Sequence, residues 1–130
     1  MREEVIDYLQ SQNLGSFTIA SEVPWTETGT VLYLKNLKKI YVDVDAFTTD
    51  PLITTFTGLN ITNETTTVRV YFANDAKQLP SNYDEVVSVI KAAKDINTTA
   101  GYARREVDVS TSYDNDRLIT EIELRYIKLT

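Results

Sequence analysis

The chain has no cysteine and no histidine among its 130 residues. Without cysteine there are no disulfides and no thiolate chemistry, so the fold stands without covalent staples. Without histidine, the usual general base at neutral pH and the commonest metal ligand are missing, and no Ser-His-Asp or Cys-His set can form. The four glycines, Gly15, Gly29, Gly58 and Gly101, are scattered, which excludes a glycine-rich phosphate loop. No apolar run approaches the length of a membrane span. Positive charge is also short: 13 Lys and Arg stand against 19 Asp and Glu, a net charge of -6. Gripping DNA or an anionic membrane requires clustered cations, so the balance argues against both, although DNA could slide past such a surface. The opening Met1-Arg2-Glu3-Glu4 begins an amphipathic pattern instead of a signal peptide. An intracellular or virion protein is expected, and the Asn-x-Thr sequons at Asn60, Asn63 and Asn97 are read as chance in a Thr-rich chain.

What is present is alternation. Val107, Val109 and Thr111 alternate with Glu106, Asp108 and Ser110. After Tyr113-Asp114-Asn115-Asp116, a second run sets Leu118, Thr120, Ile122, Leu124 and Tyr126 against Ile119, Glu121, Glu123, Arg125 and Ile127. A period of two places one apolar and one wet face on a strand, and Asp-Asn-Asp turns the chain, so the C-terminal stretch predicts a hairpin. A lone hairpin is marginal in water and needs further strands or a helix on its apolar face.

Upstream, residues 2–13 read as a helix with Val5, Ile6 and Leu9 on one face and Gly15 placed to end it. Residues 16–20 suggest a short strand, and residues 21–29 a loop. Its Trp25 is either a partner-facing anchor or folded back on its own core. Residues 31–34 are expected as a buried strand. Residues 40–47 alternate clearly, with Ile40, Val42, Val44 and Ala46 inward and Tyr41, Asp43 and Asp45 outward. Residues 48–67 hold nine threonines, Pro51 and Gly58, and form an arm-like hairpin or a long functional loop. Residues 66–72 are a strand. Ser81 is the expected N-cap of a helix whose stripe is Tyr83, Val86, Val87, Ile90, Ala93 and Asn97.

These elements predict one α+β domain over residues 1–130. Its sheet would be mainly antiparallel, of four to five strands, with two helices packed on one face. The other face would carry Asp43, Asp45, Arg69, Glu121, Glu123 and Arg125, with opposite charges paired between strands, and would meet either water or another copy of the chain. Asp43, Asp45, Glu121 and Glu123 are also the strongest candidates for an oxygen-ligated Mg²⁺ or Ca²⁺, against the plainer reading of an exposed mixed-sign strand face. The adjacent Arg104 and Arg105 either grip an acidic patch on a neighbouring subunit or neutralise nearby carboxylates of their own chain.

The order of elements resembles the tail terminator proteins of long-tailed bacteriophages. An N-terminal helix precedes an alternating strand at 40–47, and a polar excursion leads to a second strand at 68–72 followed by an amphipathic helix. A Gly-Tyr-x-Arg-Arg start, Gly101-Tyr102-Ala103-Arg104-Arg105, then enters a terminal alternating strand. The resemblance implies a structural virion protein, with no catalysis and no cofactor, at the tail–neck junction (in the host cytoplasm during assembly). Such a protomer forms a homohexameric ring on the tail tube protein, offers a docking surface to head-completion proteins, and lets genomic DNA through its lumen without specific binding or any membrane. Expected interface residues are Arg104, Arg105, Asp43, Asp45, Arg69, Glu121, Glu123, Arg125, Trp25 and Phe56. The alternatives are another head–tail connector or tail-completion protein, or a carboxylate- and metal-dependent hydrolase.

Overall fold

A computed structural model describes residues 1–54, 60–99 and 101–129 of the chain. Among them, six strands form one mostly antiparallel sheet with the two longer helices on one face, giving the α+β class expected, with one or two strands more than the alternation suggests. The centre of the sheet is a pair of long strands, β4 (Asn60–Asp75) and β6 (Arg117–Leu129), in register from Asn63 opposite Leu129 to Asp75 opposite Arg117. Strand β5 (Arg104–Asp114) runs antiparallel to β6 and forms one edge. The β5–β6 turn holds Asn115 at φ 54°, a left-handed conformation that asparagine tolerates better than most residues.

On its other side β4 has two partners in succession. Strand β2 (Lys39–Val42) pairs at Tyr41–Tyr71 and Val42–Val70, and β3 (Ala46–Thr54) pairs from Ala46–Thr67 to Thr54–Asn60. Strand β1 (Thr18–Ile19) adds a short parallel pairing to β2. The described parts of residues 48–67 are thus paired strands. Phe56 lies outside the described residues.

The single alternating strand expected over 40–47 is broken at residues 43–45. Val44, predicted inward, is 61% exposed. Asp45, predicted outward, turns to the start of α1 (Arg2–Gln10), where its carboxylate accepts the Arg2 backbone N–H at 2.8 Å and pairs with the Met1 amino group. One peptide donor and a terminal ammonium at a helix start outweigh the alternation, because a carboxylate is stabilised there. Arg2 reinforces the junction by donating to the carbonyls of Val42 and Ser21.

Two further expectations are corrected. Residues 31–34 are not a buried strand: Leu32–Lys35 form one helical turn, α2, with no buried residue, while Val31 makes an isolated bridge to Trp25. Four apolar residues cannot distinguish a strand from a helical turn by periodicity. Helix α3 (Tyr83–Lys91) begins after Asn82 instead of Ser81, and Asn82 donates to the Leu14 carbonyl. Beyond Lys91 the helix tightens to 3-10 turns, so the stripe drifts: Ala93 stays buried, Asn97 is exposed and Ile96 is half-buried.

The core lies between the helices and one sheet face. Val5 and Leu9 of α1 and Val86 and Ile90 of α3 meet Val68, Val70, Phe72, Ile122, Leu124 and Tyr126. Phe17 packs edge-on against Phe72 at 5.4 Å between ring centres.

Candidate functional site

The sheet face away from α1 and α3 divides into a charged part and a covered aromatic part. Residues two apart on a strand share a face, so β6 presents Glu121, Glu123 and Arg125 together, β4 adds Arg69 and Tyr71, and β5 adds Glu106 and Asp108. The charges interlock across the three strands. Arg125 reaches Glu123 and Asp108 at 2.6 Å each and Glu106 at 3.1 Å. Arg69 lies 3.3 Å from Glu123 and 3.6 Å from Glu121. The hydrogen bonds from Glu123 and Asp108 push the Arg125 guanidinium well above its already high range, so it stays charged at any ordinary pH.

Beside this ladder, residues 24–35 fold over the sheet. The Pro24 carbonyl accepts the Leu32 N–H, and the Leu34 carbonyl accepts from Arg117 at 2.7 Å. The flap lays Tyr33 flat on Tyr71 at 5.1 Å, with Trp25 at 5.3 Å from the same ring. Under this cover the Tyr71 hydroxyl donates to Glu121, and burial followed by the Glu121 charge pushes its phenol above the usual range. Trp25 therefore folds back on its own sheet while remaining 39% exposed.

Of the carboxylates proposed as metal ligands, the fold disperses the set. Asp45 serves α1, Glu121 and Glu123 are engaged by Arg69 and Arg125, and Asp43 accepts the Val44 N–H. Among the described residues no three acidic side chains are grouped to hold an ion. Arg104 pairs with Glu106 at 2.6 Å, and Arg105 lies 3.5 Å from Asp95 and donates to the Thr99 hydroxyl. Both arginines thus have partners within their own chain.

The alternation did not single out Phe47. Strand β3 continues the side of β4 that packs on the helices, but at a level the helices do not reach, so Phe47 is 73% exposed. It borders a groove of about 200 Å³ with Glu64, Thr66, Tyr102 and Lys128, where the Lys128 ammonium lies 5.9 Å from the centre of the Tyr102 ring. Unbroken alternation from Ile40 puts Phe47 outward with Asp43 and Asp45, and it is the break at residues 43–45 that turns it to the helix side, so a period of two could not find it.

No protein-family model matches the chain, and no curated protein matches it.

Proposed function

We propose that this chain is a structural protein of a phage tail, a terminator that closes into a ring on the end of the tail tube and presents a face to the head-completion proteins. The observation that carries the reading is the β3–β4 hairpin, which extends the sheet past the helices and holds Phe47 out in solvent. An open edge strand that carries an exposed aromatic ring is a template on which a neighbour's sheet can be augmented. The interlocked charged face supports the same reading. Five carboxylates (Asp43, Glu106, Asp108, Glu121 and Glu123) outnumber Arg69, Arg104 and Arg125 there, so a lumen lined by it would repel passing phosphates instead of holding them.

The test is imaging of the protein with purified tail tubes. Rings capping tube ends, and arrested tube growth, are expected. Replacing residues 52–63 with an Asn-Gly turn should abolish capping while leaving a folded monomer by circular dichroism. If the shortened chain caps tubes as well as the parent, the hairpin has no such role.

A further inference from the structure

Among the described residues, the sheet has two long open edges: β5 is paired only to β6, and β3 only to β4. Each displays unpaired backbone donors and acceptors, which is a template for another strand. Their polarity is already matched. Antiparallel steps from β3 through β4 and β6 to β5 leave β3 and β5 opposite in direction, so two copies standing side by side in the same orientation bring β5 of one antiparallel to β3 of the next.

We propose that the partner of the β5 edge is β3 of a second copy of this chain, in a register running from Ala46 opposite Asp108 to Asp50 opposite Arg104. Three features select this register. First, it places Phe47 opposite Val107. Both lie on the helix side of the sheet, since Phe47 pairs through Thr66 to Tyr126 and Val107 pairs with Leu124. The exposed ring thereby gains an apolar cross-strand neighbour. Second, it places the exposed Asp50 opposite Arg104, whose side chain is exposed beyond its contact with Glu106, and it sets no like charges against each other. Third, it stops where each strand requires it to stop. Pro51 follows Asp50 and has no N–H to give, and Arg104 begins β5.

The geometry also permits closure. Within one chain Ala46 lies level with Glu106, through Thr67 and Arg125. The proposed pairing shifts each copy by two residues, about 7 Å. A strand tilt absorbs that shift in any closed barrel, and a head-to-tail contact that repeats with rotation closes into a ring. The inference deepens the terminator reading by naming the subunit contact, yet it stands or falls on separate measurements.

Because the chain has no cysteine, Phe47→Cys combined with Val107→Cys gives a clean test. In one protomer Phe47 and β5 are three strands apart, roughly 14 Å, too far for a disulfide. Oxidation of the double variant should therefore give a ladder of covalent oligomers on a denaturing gel. Each single variant should stop at dimers at most. No species beyond those of the single variants would overturn the proposal. Charge exchange supplies a second measurement that does not depend on oxidation. Arg104→Glu and Asp50→Arg should each weaken self-association in sedimentation about tenfold, and the double exchange should restore it; a double exchange no better than the singles would also overturn it. Cross-linked rings that ignore tail tubes would leave the strand pairing intact and remove the terminator reading. Capped tubes without cross-links would do the reverse.

Discussion

On the helix side of the sheet, the two ends of the central strands β4 and β6 meet opposite fates. Near the helices, Val68, Val70, Phe72, Ile122 and Leu124 are wholly buried. Past the helices, the same side of the sheet carries Phe47, Glu64 and Lys128 around an open groove. The side chains change with the cover: on this side β4 passes from Val68, Val70 and Phe72 to Thr66 and Glu64, and β6 from Ile122 and Leu124 to Lys128, while the exposed aromatic comes from β3. Stability should thus concentrate at the covered end and association at the uncovered one, and substitutions can be chosen to separate the two.

The largest effect should come from Phe72→Ala. The ring is fully buried, edge-on to Phe17 and 6.0 Å from the centre of Tyr83, so its loss removes apolar burial and leaves a cavity. A cost of about 3–5 kcal/mol is expected, read as a lowered urea midpoint with unchanged slope. A cost below about 1 kcal/mol would mean that the helical layer does not close over this end, and the contrast would fail.

A smaller effect marks the boundary between the two ends, where Tyr126 is the last fully buried side chain of β6 and donates its hydroxyl to the Ala93 carbonyl at 2.9 Å. Tyr126→Phe should cost about 1 kcal/mol at neutral pH by leaving that carbonyl without its donor. It should also change the response to alkali. Burial, and then the charge of Asp45, raise the phenol's pKa above its ordinary value of 10.0. The folded state therefore holds the proton more tightly than the unfolded chain. Below pH 10 both states are protonated and the stability is complete. As pH climbs past that value only the unfolded chain releases its proton, and stability falls. Urea titrations between pH 9 and 11 should show a shallower loss in Tyr126→Phe than in the parent, with the remainder due in part to Tyr71, which is raised by burial and Glu121.

The C-terminal hairpin was legible because alternation, a turn of Asp and Asn, and partner strands all agree there. The charged face was legible for the same reason: Glu121, Glu123 and Arg125 can only emerge together once Ile122 and Leu124 go inward. Asp45 was misplaced because its position is set by a helix start far away in sequence, which periodicity within 40–47 cannot report. The end of the α3 stripe failed when the helix changed its pitch, so Ile96 replaced Asn97. Phe47 was missed because unbroken alternation over 40–47 puts it outward, whereas the break at 43–45 turns it to the helix side at a level where nothing covers it. How far the helices reach along the sheet is decided by α1 and by α3 together with its 3-10 extension, not by β3 itself.

The smallest effect on stability, and the sharpest test of the contrast, belongs to Phe47→Ser. The ring is almost three-quarters exposed, and its backbone lies in an edge strand that serine also tolerates. Removing it should change the urea midpoint by no more than about 0.5 kcal/mol in equivalent stability, the usual range for a surface substitution. Self-association should respond in the opposite proportion, because the aromatic surface lost is the surface that a neighbouring strand would cover. Sedimentation across a range of concentrations reads this directly. A variant destabilised as much as Phe72→Ala would place Phe47 in the core, and one that associates like the parent would show the open end to be idle. A variant as stable as the parent and monomeric where the parent is not would separate folding from assembly at a single side chain.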